Sequence, residues 1–314
     1  MNLQSVIASV SVMAIIMIIG FLLERKTKSA IEAKQLIIQI LVILAVPSVI
    51  LNAIFQTEIT DKVLSQMGLI FLFSVTINCL GILIGLVVAK IVGFTSLKAR
   101  QIAVLAGLGN TGFIGIPLCA SIFGPMGGLL ASIFDAGMSL TAFTVAVLLL
   151  QEKMKFSLAN FKPLLNPPVI AISFGLLFAI SGFEAPSLIK QVSATLAGIA
   201  APLAMLYVGL LIPSIFQKNK DVEKLQIKNV ALPIFLKLLL MPVVTLLIMK
   251  GIPIDSFMKE LIIIQSAMPT LTLATVLFVR YSNGDRSGLI TVVTSTALSL
   301  LTIPVIAFLI QKFL

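Results

Sequence analysis

The chain has 314 residues, of which 59% are hydrophobic and 11% charged, and its mean hydropathy is +1.16. Soluble domains carry about 25% charged residues, so these figures exclude an ordinary soluble domain and leave a polytopic, all-α membrane protein. The formal charge of +10 could suit a nucleic acid, but the basic residues fall in short clusters between apolar runs, as cytoplasmic loops do, and no nucleic-acid partner is expected.

Ten segments reach or approach the roughly 20 apolar residues that a helix needs to cross a bilayer. They are 6–23, 36–55, 67–92, 102–123, 127–150, 167–183, 189–215, 230–249, 257–279 and 289–310, the sixth being the shortest. The first is read as a span and not as a cleaved signal peptide, because Arg25, Lys26 and Lys28 come after it where a small-residue cleavage site would stand. With the N-terminus outside, 16 of the 22 Lys and Arg face the cytoplasm and 5 face outward, Lys237 lying within a span. That positive-inside bias predicts a multi-pass protein of the cytoplasmic membrane with both termini outside the cytoplasm.

Ten segments divide into two sets of five, which must then be inverted relative to each other. The expected architecture is a single membrane domain over 1–314, with inverted repeats 1–150 and 164–314 joined by a short cytoplasmic loop. Ala45-Val-Pro47 in segment two corresponds in rank to Ala200-Ala-Pro202 in segment seven, and Asp135-Ala-Gly-Met-Ser-Leu140 in segment five to Ser295-Thr-Ala-Leu-Ser-Leu300 in segment ten. Segments four and nine are both interrupted. Gly107-Leu-Gly-Asn-Thr-Gly-Phe-Ile-Gly-Ile-Pro117 carries four glycines, an asparagine and a proline inside an apolar run, and Gln265-Ser-Ala-Met-Pro-Thr270 is its polar, proline-bearing counterpart.

Glycine loses the most conformational freedom in a helix, and proline removes a donor and clashes with the preceding turn. Both stretches are therefore predicted to be broken helices, and a pair of interrupted spans at matching ranks points to a transporter's binding site. In lipid every freed backbone group needs a partner inside the protein, so the breaks must be buried or line a cavity. If they cross, a carboxylate is expected to sit between Asn110, Thr111, Gly112 and the amides around Gly109 on one side, and Met268, Pro269 and Thr270 on the other. Gly107-x-Gly109-x-x-Gly112 with Asp135 downstream also matches the dinucleotide fingerprint, but it lies in a membrane span and not after a strand, and that reading is discarded.

Two ionisable residues fall within spans, Asp135 and Lys237. An intramembrane charge must face a cavity or a partner. Either the two pair structurally or the lysine snorkels to an interface; or Asp135 is a proton acceptor or cation ligand. In that case Ser132 and Ser139 share its helix face, and Lys237 counters a substrate carboxylate or competes with the coupling proton. Pro47, Pro202, Pro233 and Pro242 are read as ordinary kinks. Gly81 and Gly85 are expected to let segment three pack closely. Thr291, Thr294, Ser295, Thr296 and Ser299 are read as helix–helix hydrogen bonding, and Lys218 to Lys228 as a solvated cytoplasmic face.

The chain holds no His and no Trp, which removes imidazole chemistry. Cys79 and Cys119, deep in apolar segments, read as packing residues and not as a redox pair. Neither HExxH, GxSxG nor GxxxxGK[ST] occurs, and no span holds paired carboxylates. No enzyme, no cofactor, no metal and no ATP-driven pump is expected; the alternative from another class, an intramembrane enzyme or a non-transporting sensor, has no motif behind it.

Gly109-Asn-Thr-Gly-Phe-Ile-Gly-Ile-Pro117, Ile133-Phe-Asp-Ala-Gly137, Asn166-Pro-Pro168, Ala201-Pro-Leu203 with Gly209, and Lys237-Leu-Leu-Leu-Met-Pro242 resemble the auxin efflux carrier family in its bacterial branch, which includes malate and malonate permeases. The resemblance implies a PIN-like fold of ten helices in two inverted repeats, related to bile-acid sodium symporters and sodium–proton antiporters. In it helices four and nine cross at prolines, which here would be Pro117 and Pro269. The expected function is secondary transport of a small organic anion, such as a dicarboxylate or other weak acid, by alternating access. The partners are that anion, a coupling proton or, in the alternative, a sodium ion, the lipid bilayer and, in a dimer, a second copy.

Overall fold

The computed structural model describes residues 3–25, 30–151, 165–181, 185–213, 227–282 and 286–314. The loop expected to join the two halves and most of the Lys218–Lys228 face lie outside the described residues. Among the described residues all regular structure is helical and no strand occurs.

The elements in order are α1 Leu3–Glu24, α2 Ala30–Ile40, α3 Val46–Phe55, α4 Asp61–Ile91, α5 Ser96–Gly107, α6 Ile116–Thr141, α7 Val147–Leu150, α8 Pro167–Ile180, α9 Ser187–Gly198, α10 Ala200–Leu211, α11 Lys228–Phe235, α12 Met241–Gly251, α13 Ser256–Ser266, α14 Ala274–Tyr281 and α15 Arg286–Phe313. Wider π-helical turns at Leu41–Ala45, Thr111–Gly115, Ala142–Ala146 and Leu236–Leu240 lead into α3, α6, α7 and α12. Three of these turns run directly into a helix whose second residue is proline: Pro47, Pro117 and Pro242. Proline has no N–H to give the preceding turn, and its ring collides with the carbonyl four residues back. Loosening that turn relieves both problems without ending the helix.

Among the described residues seven helices are long and apolar enough to cross a membrane. Three reasons separate this number from the ten segments of the sequence. The sixth segment forms α8, which is apolar but has 14 residues. The fourth and ninth are cut into halves, α5 being severed from the π turn and α6, and α13 from α14. The remainder of the fourth runs on into the fifth, as one helical run of 40 residues from Thr111 to Leu150. At 1.5 Å per residue it would span about 60 Å, twice a hydrocarbon core, and it bends at Gly124. There φ is +72°, a value glycine alone adopts without strain, and Pro125 is the next residue.

Close packing depends on small residues, since lipid tails are as apolar as the side chains and give no hydrophobic drive between helices. A β-carbon added at Gly81 would lie 2.9 Å from the Cα of Gly107, and one at Gly85 2.9 Å from the Cα of Ala103, so α4 lies directly on α5 as its small residues predicted. On the other side α1 packs on α10, where Gly20 meets Gly209. Apolar side chains such as Ile15, Ile18 and Leu22 cover the outer face of α1, as suits a lipid-facing surface. Cys79 and Cys119 are both free thiols.

The hydroxyls of α15 differ from expectation. Thr291, Thr296 and Ser299 donate to carbonyls of their own helix, at Ser287, Val292 and Thr296, so they do not tie helices together. Among the described residues Ser295 alone of this set receives a bond from another element, from the Thr270 amide at 3.2 Å. A hydroxyl three or four residues past a carbonyl satisfies itself within the helix and needs no partner on a neighbouring one.

Candidate functional site

The first interruption is three residues wide. α5 ends at Gly107, Leu108 is extended with ψ 131°, and Asn110 (φ −80°, ψ 62°) caps the next helical run by accepting from the Phe113 N–H at 3.3 Å. The second lies between Ser266, where α13 ends, and Ala274, where α14 begins. The two breaks meet backbone to backbone. The Asn110 N–H donates to the Pro269 carbonyl at 2.7 Å and the Leu271 N–H to the Leu108 carbonyl at 3.0 Å, an antiparallel bridge centred on Gly109 and Thr270. The Asn110 side-chain amide completes the junction with a 3.0 Å bond to the Thr272 hydroxyl. Each break thus supplies the partners that the other has lost, which the absence of water in a bilayer requires.

This corrects the crossing expected at Pro117 and Pro269. Pro269 is at the junction, but Pro117 lies seven residues past Asn110, inside a helix that its π turn keeps continuous. It lines a separate cavity of about 420 Å³ with Val49 and Ala201. On the first strand of the crossing the contact residues are Leu108, Gly109 and Asn110.

The two intramembrane charges flank the first break on different residues. Asp135 accepts from the Thr111 hydroxyl at 2.6 Å, and a β-carbon at Gly112 would lie 3.0 Å from both carboxylate oxygens. Gly112 is therefore a glycine because a carboxylate occupies the space of its side chain. The carboxylate stands in the first turn of the helical run that starts at Thr111, where free amides and the dipole favour an anion. Lys237 is 3% exposed, and its Nζ lies 3.1 Å from where a Gly109 β-carbon would be. It forms no ion pair with Asp135, and being buried in mid-helix it does not snorkel.

A cavity of about 440 Å³ opens against this junction. Asn110, Gly112, Asp135 and Ser139 line it; Thr111 stands behind Asp135 and orients it. Met268, Pro269 and Thr270 are fully buried beneath the crossing and are absent from the lining, their places being taken by Leu271, Thr272 and Thr275. The opposite wall is apolar, with Val42, Phe113, Met138, Phe143 and Val276. Among the described residues Asp135 is the one charged residue of the lining.

Four polar lining residues had no site role in the sequence reading: Thr272, Thr275, Asn166 and Tyr207. Thr272 stands two residues past Thr270 in the same interrupted stretch, and Tyr207 is one of two tyrosines in the chain. Asn166 caps α8 through Val169 N–H at 3.0 Å, so its spacing to Pro167 and Pro168 signals a helix start and only the fold brings it to the cavity. Behind the second break, Gln265 Oε1 and Thr270 Oγ1 are buried without a partner among the described residues. A β-carbon at Gly115 would fall 2.2 Å from Gln265 Oε1, so that glycine too is a notch for a neighbour's side chain.

A family profile described as "Membrane transport protein" matches residues 5–307. An uncharacterized transporter of Methanothermobacter thermautotrophicus is 24% identical over 292 residues, covering 92% of this chain and 93% of its own. An uncharacterized transporter of Methanocaldococcus jannaschii is 24% identical over 283 residues, covering 87% and 88%.

Proposed function

Since the chain belongs to the membrane transport protein family, that of the auxin efflux carriers, we propose that it is a secondary carrier of a small organic anion working by alternating access. Its single domain then crosses the cytoplasmic membrane ten times as inverted repeats 1–150 and 164–314, with both termini outside. The observation that carries the reading is the cavity of about 440 Å³ set against two hydrogen-bonded helix breaks with Asp135 at its wall. That volume suits a small molecule, and the lining residues Ile38 and Val276 stand four residues in sequence from Lys34 and Arg280, on the side that the positive-inside bias assigns to the cytoplasm, which supports reading the cavity as open to that side.

The lining narrows the cargo. Among the described residues it carries no basic residue and mostly apolar side chains, which favours a weak acid with one carboxylate and an apolar body over a dianion. An anion beside the ionised Asp135 would be repelled in a low-dielectric site. Binding is therefore paired with protonation of Asp135, and the proton travels with the cargo. Asn110, Thr272, Ser139 and Tyr207 are the donors available to the carboxylate, and Phe113 and Phe143 pack on its body.

Counterflow in proteoliposomes tests this, using labelled aromatic and branched-chain monocarboxylates alongside malate and malonate, with and without pH and sodium gradients. Exchange of a monocarboxylate, enhanced by a pH gradient and indifferent to sodium, is the expected result. Exchange of none of these acids would remove the organic-anion reading.

A further inference from the structure

Away from the crossing, a groove of about 620 Å³ runs between α15 and the helical run that α11 begins. It is larger than the cavity at the crossing and shares no lining residue with it. Among the described residues its walls are apolar but for Thr294 and Thr302, and Phe235, Leu239, Leu298 and Leu301 stand exposed along it. Apolar side chains exposed around a hollow leave the hollow itself to be filled by something apolar.

The groove has a length and a direction. One wall runs from Ile227 to Leu239 and the other from Ile290 to Thr302, about 18 Å of helix on each side at 1.5 Å per residue. One leaflet of hydrocarbon is about 15 Å deep. Both walls start from the same face, since α11 begins at Lys228 and α15 at Arg286, and the positive-inside bias puts those ends at the cytoplasm. The groove is therefore as deep as one acyl chain of the inner leaflet.

Its shallow end is basic. Lys228 is exposed next to Ile227. Lys98 Nζ donates to the Ser287 hydroxyl at 2.5 Å, which carries a second ammonium from the start of α5 to the foot of α15. An apolar slot one leaflet deep beneath two cations is complementary to an anionic lipid, whose chain fills the slot while its phosphate meets the lysines. A second copy of the chain fits it less well. α11 and α15 remain in contact beside the groove, so it admits a row of methylenes but not a helix, about 10 Å across.

We propose that this groove binds an anionic glycerophospholipid of the inner leaflet, with one acyl chain between α11 and α15 and the headgroup at Lys228 and Lys98. The carrier reading enters only in naming the leaflet. The test involves no cargo, so it can fail without the carrier reading failing.

The chain has no Trp, so a single introduced one reports on its own surroundings. Phe235→Trp on the groove wall is compared with Leu72→Trp, an exposed position on α4. Each purified full-length protein is placed in dioleoyl phosphatidylcholine vesicles that contain a rising share of phosphatidylglycerol or phosphatidylcholine brominated at mid-chain, which quenches indole on contact. Phe235→Trp is expected to reach half-quenching at an about fivefold lower share of the brominated phosphatidylglycerol, the preference that one basic residue near the surface gives an anionic lipid. Leu72→Trp is expected to respond alike to both lipids, and Lys228→Gln in the Phe235→Trp protein to remove most of the preference. Equal quenching of Phe235→Trp by the two lipids overturns the proposal, as does the same preference at Leu72→Trp or one that Lys228→Gln leaves intact. Protection of Phe235→Trp from both lipids would mean that protein covers the groove, and overturns it too. If Phe235→Trp is not recovered folded, Leu239→Trp on the same wall takes its place with the same outcomes.

Discussion

The first helix break has a cation at Gly109 and a carboxylate at Gly112, two full charges within one short stretch; the second break, Ala267 to Leu273, has neither. Its surroundings are Gln265, Thr270 and Ser295, all neutral and all fully buried. The first faces a cavity through Asn110, Gly112 and Asp135, while the deepest part of the second is closed off beneath the crossing. The two halves of the junction thus carry different duties. The second is a neutral buttress held by packing, and the first holds the charges that a gradient can act on.

Substitutions can break that contrast. The largest effect is expected for Asp135→Asn. The amide oxygen can still accept from Thr111, so the fold should persist at equal or slightly higher stability, because a buried charge has been removed. Uptake driven by a pH gradient should disappear while counterflow survives; if gradient-driven uptake persists, Asp135 is not the coupling group. Next comes Gly107→Ala at the end of α5. Its β-carbon would fall 2.5 Å from the backbone nitrogen of Ile82, an atom that cannot move aside, and thermal unfolding should show a loss of about 3 kcal/mol.

Asn110→Ala removes a helix cap and the bond to Thr272 together. A loss of about 1–2 kcal/mol is expected in denaturant melts, together with weaker cargo binding in counterflow. A variant as stable as wild type would mean that the crossing does not depend on its cap. The smallest effect belongs to the buttress. Thr270 Oγ1 is buried with no partner among the described residues, so Thr270→Val should be neutral or stabilising by up to about 1 kcal/mol in the same melts. A marked loss there would show that the second break carries polar work after all.

Much of this was legible in the sequence. Glycines and a proline crowded into 107–117 marked the first break, and Asp135 and Lys237 stood out as charges in apolar runs. The crossing was expected too late in the chain, at Pro117, because the family resemblance implies that the two helices cross at prolines. The π turn before it absorbs the misfit, and three prolines here are accommodated in that way. Met268, Pro269 and Thr270 were expected toward the cargo, where the structure turns Thr272 and Thr275 instead. Side chains in a helix can be projected by its period, but a broken stretch has no period to project.

What the sequence determined by itself is therefore what local chemistry decides. Apolar runs select the bilayer, breakers interrupt two of those runs, and an isolated Asp and Lys in lipid-length segments must be kept for a purpose. Only the tertiary structure decided which backbone groups of the two breaks bond to each other. It alone separated Asp135 from Lys237, setting each against a different glycine of one short stretch, and gathered Asn166 and Tyr207 from distant helices. The reason is physical. Hydropathy and propensity act over a few neighbouring residues, whereas a freed amide or a buried charge is satisfied by whatever the packing of distant helices brings within about 3 Å.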